Sequence, residues 1–144
     1  MNNRIDIAKI QPEALNTMLG IENYLSTTDL SEQQKELIKL RASMINQCAY
    51  CIEMHSKQAL KIGIDQQKIF ALSAWKESPR FDQQEQALLQ LVDEMTLIHQ
   101  AGVSEPTYHA CIAQFGEQQT AEVMMQIIMI NAWNRFALAT KMHH

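Results

Sequence analysis

No stretch of this 144-residue chain alternates apolar and polar residues for long enough to make a convincing β-strand. Apolar residues recur instead at helical spacing almost throughout. Four glycines and three prolines leave few places for tight turns, and nine methionines supply adaptable core filler. The pattern predicts an all-α fold of about six to seven helices. They are expected at about residues 12–26, with Pro12 in the opening turn, and at 31–46, where Ser31 and Gln34 form a capping box. The next run covers 48–62 and stops at Gly63, and another covers 65–77 and ends before Pro79. Asp82 and Glu85 open a run over 82–100 that stops at Gly102. Ser104 caps 105–115, which stops at Gly116, and a last helix covers about 118–141.

The length suits one domain over residues 1–144 with a proper core. Apolar residues make up 47% of the chain, which excludes a disordered protein. The net charge is −4 and there is no basic run, so no nucleic-acid partner is expected. The N-terminal residues hold no apolar stretch long enough for a signal-peptide core. The longest apolar run, "VMMQIIMINAW", is interrupted by Gln126 and Asn131, so no membrane span is expected. The expected location is therefore the cytoplasm. A helix as apolar all round as "VMMQIIMI" belongs in a core or a subunit interface, and shared burial in a homo-oligomer suits so short a chain. The closing His143–His144 pair is given no role.

The chemistry concentrates in "NQCAYCIEMHSK", residues 46–57. Cys48 and Cys51 form a C-x-x-C pair and His55 follows four positions later. On a helix these three fall within about 60° of arc. Cys51 and His55 are i,i+4 neighbours, close enough to meet directly or through one water. Cys48 sits near the helix start, where unpaired N–H groups and the helix dipole favour a thiolate. A cysteine of ordinary pKa, about 8.5, needs a base or dipole to activate it, and His55 can be that base. A carboxylate would orient the imidazole. Asp29, Glu32 and Glu36 are the candidates on or before the preceding helix. If residues 46–47 turn between antiparallel helices, Glu36 lies about 14 Å back along the first helix and returns alongside His55.

The pair by itself is compatible with a redox dithiol, part of a zinc site or packing. A structural zinc site needs four ligands, and His99, His109 and Cys111 stand at no ligand-like spacing. Haem attachment needs His directly after the second cysteine, where Ile52 stands. A thioredoxin-type fold needs strands. No metal or cofactor is expected. Cys111 reads as a small buried hydrophobe. Trp75, Trp133 and Phe136 read as core or interface, and Tyr50 as packing or a hydrogen-bond donor to the site.

Glu36, eleven intervening residues, Cys48-Ala-Tyr-Cys51, three more residues and His55 together resemble the E-x11-C-x2-C-x3-H signature of the alkylhydroperoxidase D (AhpD)-like proteins. These belong to the carboxymuconolactone decarboxylase superfamily. "LIKLRASMINQCAYCIEMHSKQALKIGI" and "INAWNRFALA" fit as well, and the likeness covers roughly residues 12–140. The resemblance implies an all-α domain assembled as a trimer or hexamer, with a peroxidase-type thiol activity. By position it makes Cys51 the peroxidatic thiol, Cys48 the resolving thiol, and Glu36 with His55 a proton relay through a water. The best-known members carry His between the cysteines, so Tyr50 stands here as a modulator of the site. True decarboxylases of the superfamily lack the C-x-x-C.

The leading expectation is thus a thiol peroxidase acting on a small organic hydroperoxide, with a dithiol as reductant. A disulfide reductase or redox adaptor serving a peroxiredoxin would use the same four residues. A non-enzymatic redox sensor is the third reading.

Overall fold

A computed structural model describes residues 4–143. Among these residues every regular element is helical. Asp6 caps a single turn, α1 (Ile7–Ile10), and α2 (Pro12–Leu25) follows with Pro12 at its first position. The Ser31–Gln34 capping box opens α3 (Glu32–Ile45) as expected, with both reciprocal hydrogen bonds formed. The motif helix α4 (Ala49–Lys61) ends before Gly63, whose φ of +94° only glycine adopts cheaply.

Two expected helices are subdivided. The run over 65–77 becomes α5 (Gln66–Ala71) and a 3₁₀ segment (Leu72–Glu77). Arg41 explains the change: its Nη1 donates to the carbonyls of Leu72 and Ser73 at 3.4 and 3.1 Å, groups an α-helix would use internally. The run over 82–100 becomes α6 (Gln83–Thr96), opened by an Asp82–Glu85 capping box, and a separate turn, α7 (Ile98–Ala101). The bend at Leu97 returns the chain so that Ser104 N and Thr107 Oγ1 donate to Glu94 at 3.0 and 2.8 Å. The last two expected helices run on as α8 (Glu105–Thr140), and the expected stop between them is present as a break at Gly116, whose φ of +74° and ψ of 174° are not helical.

The core lies between α3, α6 and α8, with α4 laid against α3. Leu37, Ile38, Leu40, Leu88, Leu91, Ile127 and Ile130 are fully or almost fully buried there. This arrangement shows three apolar faces to one another, and that satisfies the near-continuous apolar surface of α8 on most sides. Within the "VMMQIIMI" stretch Ile128 stays half exposed, and further along α8 Leu138 is also exposed. Among the described residues no helix is long and apolar enough to cross a membrane.

A polar seam crosses this core beside the α3–α4 turn. Asn46 Nδ2 donates to Asn131 Oδ1 and Asn134 Oδ1, each at 2.9 Å, and Asn134 Nδ2 donates to Ser43 Oγ at 3.0 Å. The Ser43 carbonyl in turn accepts from Cys48 N at 3.0 Å. Two residues of turn, Asn46 and a left-handed Gln47 (φ +56°), are thereby pinned to α8. The seam sets where α4 begins, and so where both cysteines stand.

Candidate active site

Cys48 is the N-cap of α4, and its Sγ accepts from Cys51 N at 3.4 Å. Cys48 and Cys51 are joined in a disulfide, with their Cα atoms 5.3 Å apart. Both are almost fully buried, in a small cluster with Ala137 of α8 and against Tyr50. The two residues differ in their surroundings. Cys51 lines a cavity of about 640 Å³, and Cys48 does not. One wall of that cavity is the N-terminal segment from Arg4 to Lys9, which Arg4 ties to the Ala139 carbonyl of α8 at 2.8 Å. His55, Met54, Trp133 and Phe136 line it from α4 and α8. Its surface is mostly apolar.

His55 Nδ1 lies 3.1 Å from Glu36 Oε2. Glu36 is 2% exposed, and its other oxygen accepts from Lys39 Nζ at 3.2 Å. Burial alone would raise the Glu36 pKa. The hydrogen bond from His55 and the charge of Lys39 outweigh it, so the group titrates below the usual glutamate range. The carboxylate is therefore ionised at neutral pH and aimed at the imidazole. It favours the tautomer with the proton on Nδ1, which leaves Nε2 as the nitrogen able to accept one. Antiparallel packing of α3 on α4 produces this pairing, as the turn geometry predicted.

The other acidic candidates lie elsewhere. Glu32 is exposed and pairs with Lys35 at 3.4 Å. Asp29 meets Glu122, whose Oε2 accepts from its backbone N–H at 3.2 Å. Cys111 is buried on α8 with its thiol against the Ala87 carbonyl. Burial, with the Glu94 charge nearby, pushes its pKa up to about 11, so it stays a thiol. His109 pairs with Glu105 on the surface at 3.2 Å.

Sequence reasoning did not single out Lys39, Asn46, Asn134 or the N-terminal wall. Lys39 was findable, standing at i+3 from Glu36 on one helix face. The wall was not, because none of residues 4–9 belongs to the buried core.

The profile of the carboxymuconolactone decarboxylase family matches residues 12–94, more than half of the chain, and the chain belongs to that family. The uncharacterized protein YdfG of Bacillus subtilis (strain 168) is 35% identical over 139 residues, covering 96% of this chain and 95% of YdfG. A crystal structure from Agrobacterium tumefaciens, of a protein of unknown function assigned provisionally to AhpD-type antioxidant defence, superposes with a TM-score of 0.94. It is 38% identical over 98% of this chain and 97% of its own. A peroxidase-related protein of Silicibacter sp. TM1040 gives a TM-score of 0.81 at 25% identity, over 92% and 71% of the two chains. The debrominase Bmp8 shares the fold, with a TM-score of 0.79 at 16% identity over 94% and 73%. The fold is AhpD-like.

Proposed function

We propose that this protein is a thiol-dependent hydroperoxide reductase with Cys51 as nucleophile. The observation that carries the reading is the asymmetry of the pair. Cys51 shares a substrate-sized cavity with His55, while Cys48 lies behind it at the helix N-terminus.

The cycle starts from the reduced pair. His55, oriented by Glu36, takes the Cys51 proton, and the thiolate attacks the outer oxygen of ROOH. The O–O bond breaks, Cys51 becomes a sulfenic acid, and the alkoxide leaves as ROH with the proton returned through His55. The Cys48 thiol then attacks the Cys51 sulfur, forming the disulfide and releasing water. An external dithiol restores the pair and is itself oxidised to a disulfide. The thiols supply both electrons, so the chemistry needs no metal and no organic cofactor.

The two cysteine environments suit this order. A reductant that enters the cavity meets Cys51, and Cys48 departs as a thiolate stabilised by the first turn of α4. A low leaving-group pKa speeds that step. Deep burial of both sulfurs favours small, slender reactants over in-line attack by the surface cysteine of a globular partner. That supports peroxide reduction over the redox-adaptor reading.

The test is peroxide consumption with lipoamide, thioredoxin and dithiothreitol compared as donors, on wild type and Cys51→Ser. Multiple turnovers by wild type and none by Cys51→Ser are expected. A single stoichiometric oxidation with every donor would instead mark a redox sensor.

A further inference from the structure

Both carboxylate oxygens of Glu36 are engaged. Oε2 lies 3.1 Å from His55 Nδ1, and Oε1 accepts from Lys39 Nζ at 3.2 Å. All three side chains are withdrawn from solvent: Glu36 is 3% exposed, His55 13% and Lys39 18%. A lysine that far from water is unusual, because burial costs the ammonium its hydration. Lys39 lines a second cavity beside His55, of about 320 Å³, which it shares with Glu22, Tyr50 and Met54.

The charged groups near His55 come from four parts of the chain. α3 supplies Glu36 and Lys39. α2 supplies Glu22, which lines the smaller cavity and accepts the Trp133 indole N–H at 2.8 Å. On α4 itself the titratable neighbours are Tyr50 and Cys51. The N-terminal segment brings Arg4, Asp6 and Lys9 to the larger cavity, but these are exposed and screened by solvent. The residues that α8 lends to the two cavities carry no charge. Two carboxylates thus stand near the imidazole, and among the described residues lining the smaller cavity Lys39 is the one lysine or arginine.

That balance bears on what a proton relay must do. An imidazole beside an unopposed buried carboxylate holds its proton as an ion pair, so it neither takes another proton nor readily gives that one up. A cation on the carboxylate's other oxygen weakens that hold and leaves the hydrogen bond in place.

We propose that Lys39 is a positioning residue of the relay: by offsetting the Glu36 charge, it keeps His55 an uncharged base that can accept a proton and give it back. Its part in turnover rests on the peroxidase reading, but the charge balance does not.

The test is made first on the disulfide form, in which Cys51 does not titrate. The His55 ring signals are followed against pH by NMR in wild type, Lys39→Gln, Lys39→Met and Lys39→Arg. Removing a nearby cation favours the protonated ring, so the midpoint should rise. A rise of about one pH unit is expected for Lys39→Gln and Lys39→Met, the effect of one partly buried charge close by. Lys39→Arg should restore the wild-type midpoint. Gln can still donate to Glu36, so it separates the charge from the hydrogen bond and guards against a misfolded Lys39→Met. Lys57→Met removes an exposed cation from the His55 helix, one paired with Glu53, and should leave the midpoint in place. A midpoint that fails to rise in Lys39→Gln, or that rises as much in Lys39→Arg or Lys57→Met, would overturn the proposal. Peroxide turnover against pH is then measured on the same variants, and its acid limb should move with the midpoint. A shifted midpoint in a protein that turns over no peroxide would leave the role of Lys39 standing and remove only the peroxidase reading. Turnover with an unshifted midpoint would do the reverse.

Discussion

Glu36 and His55, nineteen residues apart, meet at 3.1 Å between Oε2 and Nδ1 across the α3–α4 packing. The carboxylate favours the proton on Nδ1, which leaves Nε2 as the nitrogen able to accept one, and in the proposed cycle that proton comes from Cys51. Glu36→Gln keeps the size and removes the charge. General acid–base contributions are typically ~10²–10⁴-fold, and a fall at the lower end of that range is expected in the rate of thiol alkylation or peroxide reduction. Glu32→Gln is the control, since Glu32 is exposed one turn earlier and pairs with Lys35. Equal rates for wild type and Glu36→Gln between pH 6 and 9 would reduce Glu36 to a structural residue.

The same carboxylate makes stability depend on acid. Its folded pKa lies below its ordinary value, because His55 and Lys39 together outweigh burial. The unfolded chain therefore binds the proton more readily, and protonation favours unfolding. The contribution is complete above the ordinary glutamate pKa of about 4.3 and is lost as pH falls through the lower folded value. Urea midpoints of wild type and Glu36→Gln should differ at pH 6, and the gap should narrow as pH falls below the ordinary glutamate value. A constant gap across that range would contradict the assignment.

The cysteines should behave unequally. After one equivalent of peroxide, wild type should show the Cys48–Cys51 link in non-reduced peptide mass spectra. Cys48→Ser should accumulate a sulfenic acid on Cys51 that dimedone traps, because the thiol that condenses with it is gone. Cys51→Ser should show no comparable adduct on Cys48. Two alkylatable thiols in wild type after peroxide would refute the pairing in solution.

Ile128 remains 50% exposed in the most apolar part of α8. Together with the AhpD-like resemblance, this predicts that α8 contributes to a contact between copies of the chain. Light scattering should give a trimer or hexamer, and Ile128→Glu should shift it toward smaller species without loss of helicity. A wild-type particle of 16.5 kDa at micromolar concentration would rule this out.

Helical periodicity, the capping boxes at Ser31 and Asp82, and the stops at Gly63 and Gly116 are local signals, so most of the helical layout was legible from residues near one another in the chain. The spacing of Glu36, Cys48, Cys51 and His55 was legible too, because a short turn between two helices brings an i+19 carboxylate back to a known height. The breaks at Leu72 and Leu97 were not. Arg41 reaches Leu72 from α3, and the bend at Leu97 brings Ser104 and Thr107 back to Glu94. Nothing in either run announces those partners. The cavity, too, belongs to the tertiary structure alone. The segment from Arg4 to Lys9 becomes a wall only when it crosses α4 and α8, and Cys51 is distinguished from Cys48 by lining that space. A helix start favours a thiolate at Cys48 through backbone dipoles that sequence position reveals. Access to Cys51 depends on where three separate parts of the chain leave room, and that is decided by packing.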